Sequence, residues 1–175
     1  AACGDGNLAA ARWLAGHLGC AADDGARKEY SKALGDACGR GRLAIAQWLA
    51  GRAHCICTPD DDVEADDYQE CAVCSKCVSA MYDACGNGCL AVAQWLTAHN
   101  RLETYDMRVC GCCDELQNAC INGHLAVARW LARRFGLGPA DARTDDDHAL
   151  RGACGSGHLA VAQWLAGHYG LGPAD

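Results

Sequence analysis

One short phrase, written five times, limits what this chain can fold into more than any other feature. Its fullest copy runs Ala153-Cys154-Gly155-Ser156-Gly157-His158-Leu159-Ala160-Val161-Ala162-Gln163-Trp164-Leu165, and earlier copies begin at Ala2, Ala37, Ala84 and Ala119. Its cysteines stand at Cys3, Cys38, Cys85, Cys120 and Cys154, in steps of 35, 47, 35 and 34 residues. A period of about 34 residues accommodates one helical hairpin, and such units bury their apolar faces on their neighbours rather than in one central core. The long step marks an insertion of about a dozen residues. The chain is therefore expected to be all-α, a single array over residues 1–175. A partial unit with only its second helix fills 1–22, and units follow at 23–54, 55–104, 105–139 and 140–175, with the insertion at about 54–77.

Within the first complete unit the spacing of Leu34 and Cys38 predicts a helix over Lys28 to Cys38. A second helix is predicted from Leu43 to Gly51, after the glycines at 39 and 41. On that second helix Ala44 and Gln47 fall on the solvent side, while Leu43, Ala46, Trp48, Leu49 and Ala50 form a broad apolar arc. So wide an arc fits a helix contacted by its partner and by both adjoining units. Trp13, Trp48, Trp95, Trp130 and Trp164 each precede a core Leu, which predicts packing rather than a ligand-stacking ladder. The pattern resumes at Met81, the counterpart of Leu34, and again at Leu116. The last unit opens through Gly136-Leu137-Gly138-Pro139-Ala140-Asp141, with Asp146 or Asp147 expected to cap its first helix. The same six residues recur from Gly170 to Asp175, and the chain starts inside a repeat without Met, so it reads as an excerpt of a longer protein.

Composition narrows the function. Apolar residues make up 51% of the chain, too many for a disordered segment. The net charge is −7 and no stripe of Lys and Arg is present, which argues against nucleic acid. No apolar run reaches the length of a bilayer span, so no membrane partner is expected. Fifteen cysteines would suit a secreted disulfide scaffold, yet five share one slot of the repeat. Helices in contact lie roughly 8–10 Å apart, whereas a disulfide needs Cα atoms within about 7 Å. These five are read as small buried thiols of an intracellular protein in a reducing compartment, cytoplasm or nucleus.

The insertion holds the densest chemistry. Pro59 stops a helix, and Asp60, Asp61, Asp62, Glu64, Asp66 and Asp67 favour solvent, so the stretch is expected to be a long exposed loop. Cys55 and Cys57 form Cys-x-Cys; Cys71, Cys74 and Cys77 form Cys-x-x-Cys-x-x-Cys. Any four of these thiolates can close a tetrahedral zinc site, with Cys110, Cys112 and Cys113 as further donors. A disulfide within the arm and an inert, cysteine-tolerant loop are the alternatives. The acids lack the alternating order, central Gly and closing Glu of a calcium loop. Gly4 to Ala9 and its later copies match a dinucleotide fingerprint, but no strand precedes them. No nucleophile, base and orienting group emerge together, so no enzyme is expected.

The phrase Ala153-Cys154-Gly155-Ser156-Gly157-His158-Leu159 with Val161-Ala162-Gln163-Trp164-Leu165 resembles the ankyrin repeat, whose inner turn reads Ala-Ala, two variable residues, then Gly-His-Leu. Together with Tyr169-Gly170-Leu171 and Asp147-His148-Ala149-Leu150 it is similar to a divergent branch found in protists and large DNA viruses. The family's Thr-Pro-Leu-His opening is replaced by Asp147-His148-Ala149-Leu150, Ser31-Lys32-Ala33-Leu34 and Ser79-Ala80-Met81, which implies shortened or irregular hairpin fingers. The resemblance implies an ankyrin-type solenoid, monomeric as an array, that grips another protein without chemistry. It places His124 and His158 in a structural role. It also implies a binding surface of Lys28, Glu29, Ser31 and Arg40 in the first full unit, then Ser75, Lys76, Val78 and Asn87. Cys110, Gly111, Cys113, Ile121 and Asn122 follow, and Thr144, Asp145, Asp147 and Ser156 complete it. A zinc-binding or redox-responsive module built on Cys55–Cys77 is the alternative, as is the recognition part of a larger adaptor.

Overall fold

The computed structural model describes residues 8, 9, 12, 24–50, 72–99 and 112–171, with side chains at 8, 9, 12, 32–50, 79–98 and 114–171. The described residues form helices, turns and short links, with no strand among them. Helices α1 (Asp24–Gly39) and α2 (Leu43–Ala50) make the first described hairpin, α3 (Ala72–Gly86) and α4 (Leu90–His99) the second. A third follows in α5 (Cys112–Ile121) and α6 (Leu125–Phe135). The single turn α7 (Pro139–Ala142) then leads into α8 (Thr144–Gly155) and α9 (Leu159–Tyr169). The helices of each hairpin pack on one another, and α1 packs on α3, α3 on α5 and α5 on α8. Every first helix therefore meets the first helix of the next hairpin.

The repeated Ala-Cys pair makes this close approach possible. Ala37, Cys38, Ala84, Cys85, Ala119 and Cys120 are all fully buried, and their short side chains keep little bulk between neighbouring backbones. Second helices bury a stripe at helical spacing: Ile45, Ala46 and Leu49 in α2, Val92, Ala93 and Leu96 in α4, Val127, Ala128 and Leu131 in α6, Val161, Ala162 and Leu165 in α9. Trp48, Trp95, Trp130 and Trp164 lie half-buried against that stripe, as packing residues. Ala44 and Gln47 are exposed as expected.

Each inner turn is built the same way. Gly41, Gly88, Gly123 and Gly157 have φ of 69°, 73°, 79° and 76°. The next amide, of Arg42, Cys89, His124 or His158, donates to the carbonyl of Ala37, Ala84, Ala119 or Ala153 at 2.8 Å every time. His124 and His158 make no side-chain cap bond to their own helices. Their rings reach the preceding hairpin instead. A Cβ on Gly88 would meet His124 Nδ1 at 2.6 Å, and one on Gly123 would meet His158 Nδ1 at 2.5 Å; Cys89 Sγ covers Gly41 in the same manner at 2.9 Å. The structural role implied for the histidines thus has a geometry: each roofs the turn glycine of the unit before it.

A second contact also recurs at each of the three junctions, between the residue after the repeat cysteine and a residue two before the next one. Gly39 meets Asp83, Gly86 meets the Asn118 amide, and Ile121 presses on Gly152. One member is always glycine, and at the third junction the roles are exchanged. Gly152→Ala would drive a Cβ into Ile121, at about 2 kcal/mol. Urea unfolding should show Ile121→Ala and Gly152→Ala coupled by at least about 1 kcal/mol, the double variant being more stable than the sum.

Four expectations need correction. The first helix of the first hairpin starts at Asp24, not Lys28, and ends one residue beyond Cys38. Helix α3 starts at Ala72, so 72–77 are helical rather than loop, carrying Ser75, Lys76, Cys74 and Cys77. No Pro or Gly lies between Ala72 and Asp83 to stop it, and Val73, Cys74, Cys77, Val78 and Met81 stand at helical spacing through its leading turns. Asp146 and Asp147 are not caps: Asp145, Asp146 and Asp147 all adopt left-handed φ of 55–57°, and no side-chain cap bond is made at this terminus. The aspartates instead form a left-handed turn preceding the right-handed part of α8, a conformation that Asp tolerates better than most side chains. Finally, Cys38, Cys85 and Cys120 are buried as free thiols, but Cys154 is exposed, and Cys3 lies outside the described residues.

Candidate protein-interaction face

The register of the first helices decides which side chains remain available. The positions two residues after each repeat cysteine fall on the turns: Arg40, Asn87, Asn122 and Ser156, all exposed. Asn87 Nδ2 donates to the Asp83 carbonyl at 2.8 Å, and Asn122 Nδ2 to the Asn118 carbonyl at 2.9 Å and to Asn118 Oδ1 at 2.8 Å. Each of these carbonyls also accepts from the backbone amide of the same asparagine, at 3.0 and 3.1 Å, so the side-chain amide is a second donor that holds the Asn in a fixed orientation. Asn87 and Asn122 are thereby held by the same contact in successive units, and Arg40 and Ser156 occupy the same position of the repeat.

The others are distributed differently. Ile121 is half-buried, its side chain committed to Gly152. Thr144 is half-buried and its Oγ1 donates to the Asp141 carbonyl at 2.8 Å. Asp145 is exposed; its Oδ2 accepts from Gln117 Nε2 at 3.4 Å and its carbonyl from Arg151 Nη2 at 3.4 Å, tying α5 to α8. Asp147 is half-buried, and its Oδ1 has no hydrogen-bond partner among the described residues. Backbone alone is described for Lys28, Glu29 and Ser31 in α1, for Ser75, Lys76 and Val78 in α3, and for Cys113 in α5. Cys110 and Gly111 lie outside the described residues.

The implied set lacks Tyr82, an exposed aromatic on a first helix. Tyr82 is 44% exposed and stands three before Cys85, where the other hairpins place Gly35, Gln117 and Arg151. Its carbonyl accepts from Asn118 Nδ2 at 3.2 Å, so the helix that carries it is pinned to α5. Lys32, Asp36, Ser79, Asp83, Asp114, His148 and Arg151 are exposed on the same helices. Counting back from the repeated cysteine by two, three and six residues would have found them.

One buried group breaks the repeat. Glu115 stands five before Cys120, where the other first helices carry Ala33, Ala80 and Ala149, yet it is only 2% exposed and its Oε2 has no partner among the described residues. Burial pushes its carboxyl up to about 7, against a bond from its own backbone and with the charge of Asp114 adding to the rise. The same burial raises the thiols of Cys85 and Cys120, the latter to about 12, so both stay protonated and unreactive as nucleophiles near neutral pH.

Of the candidate zinc ligands, Cys55, Cys57 and Cys71 lie outside the described residues, and Cys74 and Cys77 fall three apart on α3. Among the described residues no group of three or more His, Cys, Asp or Glu side chains could hold a metal ion. Nor is any described helix long and apolar enough to cross a membrane. Compared with known proteins, the chain matches no family model, and neither the curated proteins nor the solved structures give a match.

Proposed function

We propose that the chain is an ankyrin-type solenoid whose first-helix and turn surface binds another protein, with no reaction catalysed. The observation that carries this reading is the recurrence of one junction geometry. At each of three junctions a turn side chain covers the preceding turn glycine, and the residue after the cysteine meets a residue two before the next. Packing repeated in this way fixes a row of variable side chains while leaving none of them needed for the core. Arg40, Asn87, Asn122 and Ser156 are that row, and Tyr82 is its apolar anchor, of the residue type most enriched at the energetic centre of interfaces.

A partner captured by the full array can be tested against two variants. Tyr82→Ala with Asn87→Ala is expected to weaken binding by at least about tenfold, as loss of an interface anchor does. Unfolding free energy should shift by no more than about 1 kcal/mol, because exposed side chains contribute little to the fold. Gln47→Ala and Gln94→Ala, exposed on second helices, should leave binding unchanged. Equal binding by both variants would contradict the assignment of the face.

A further inference from the structure

The second helices carry a charge pattern that the first-helix surface does not use. None of α2, α4, α6 and α9 contains Asp or Glu. The acids of the described helices stand on first helices and on α7, and Asp36, Asp83, Asp114, Asp145 and Asp146 are the exposed ones among described side chains. The residue before each tryptophan is Gln47, Gln94 or Gln163 in α2, α4 and α9, but Arg129 in α6, and all four are exposed. Three residues after the tryptophan, Ala98 in α4 and Gly167 in α9 correspond to Arg133, again exposed, and Arg134 follows it. The helix dipole accounts for basic residues in a last turn, where Arg133 and Arg134 stand. It does not account for Arg129 at the middle of α6, and α2 has no basic residue in its last turn.

The three cations surround an aromatic ring. Arg129 and Arg133 are four residues apart, as are Trp130 and Arg134, so the four side chains share one side of the helix. Phe135, only 1% exposed, backs two of them. The Arg134 guanidinium lies 5.4 Å from its ring centroid, and the Trp130 ring meets it edge-on at 6.0 Å and 77°. Arg129 and Arg133 have no ion-pair partner among the described residues. Their planar donor forks match carboxylates two bonds at a time, and the half-buried indole between them offers an apolar edge.

We propose that the α6 surface of Arg129, Trp130, Arg133 and Arg134 is a second docking site, which takes an acidic peptide segment of a partner protein. Carboxylates of the segment pair with Arg129 and Arg133, and an apolar side chain between them packs on Trp130. Charge sets the class of partner: this is an acid-free basic surface on a chain of net charge −7, whose described acids are kept to other helices. Three cations are few for a phosphate backbone, whose hold weakens with salt for every phosphate neutralised. The site goes beyond the first-helix reading and does not rest on it.

The test uses the full chain and a fluorescein-labelled peptide of six glutamates around one leucine, followed by fluorescence anisotropy at about 0.15 M salt. Arg129→Gln with Arg133→Ala installs the residues that α4 carries at these positions, so the urea midpoint should not move. Binding of the peptide should weaken by at least about tenfold. Arg129→Lys with Arg133→Lys keeps the charge without the planar fork and should still weaken binding by about threefold or more. Tyr82→Ala with Asn87→Ala should bind this peptide as the parent chain does, so the two surfaces can fail separately. No saturable binding by the parent chain, or equal binding after Arg129→Gln with Arg133→Ala, would overturn the proposal. Tighter binding of a single-stranded oligonucleotide or of anionic lipid vesicles that depends on Arg129 would overturn it too, as would a dimer lost on Arg129→Gln.

Discussion

Gly123→Ala is expected to destabilise the protein by about 3 kcal/mol, and Gly157→Ala by about 1 kcal/mol. Both glycines hold a left-handed φ, 79° and 76°, in which an L side chain is disfavoured by roughly 1–2 kcal/mol. Only Gly123 is roofed by an imidazole, so only there does the new Cβ meet His158 Nδ1, at 2.5 Å. Forcing extra volume into a packed contact adds a further 1–3 kcal/mol or so. Urea unfolding of the two variants isolates the contact from the backbone strain that they share. His158→Ala in the Gly123→Ala chain should recover most of the excess, and equal losses for the two single variants would remove the imidazole from the account.

Glu115→Gln should make the protein more stable at pH 8 and leave it no better at pH 4. The folded carboxyl titrates at about 7 and the unfolded one near its ordinary 4.5, so the folded state holds the proton over that window. Stability from this group is therefore greatest below pH 4.5, falls as the pH rises to 7, and is flat beyond. The difference corresponds to about 3 kcal/mol at pH 8, reached because the carboxylate is buried with its Oε2 lacking a partner among the described residues. Glutamine keeps the shape and carries no charge, although its amide adds donors that need partners, so the net gain at pH 8 is about 2 kcal/mol. The measurement is the difference in unfolding free energy between the two proteins from pH 4 to 8. A difference that does not change with pH would show that Glu115 titrates as an exposed carboxylate. The three alanines at the equivalent positions mark the residue as a departure from the packing rule of its own repeat.

Much of this was readable before any coordinate. The Ala-Cys pair, the glycine spacing and the Leu-Trp pattern locate four hairpins, because each residue type answers a local need: small where backbones approach, glycine where φ is positive, apolar where a neighbour covers. The start of α3 was missed because Cys71, Cys74 and Cys77 read as metal ligands on a loop that continued the acidic run, although Cys74, Val78 and Met81 stand at helical spacing. The left-handed turn at Asp145–Asp147 was equally hidden, because Asp serves helix caps and left-handed positions alike. On the candidate face the resemblance supplied Arg40, Asn87, Asn122 and Ser156. It missed Tyr82, because that position holds Gly, Gln or Arg elsewhere and is found only by counting back three residues from the repeated cysteine.

The most direct test of the stacked-hairpin account is a nuclear Overhauser experiment on the two turn imidazoles. Cross-peaks are expected from the ring protons of His124 to the α-protons of Gly88, and from those of His158 to the α-protons of Gly123. Imidazole rings with contacts only inside their own hairpin would mean that the units do not stack in this register, and the row of side chains assigned to partner binding would lose its support.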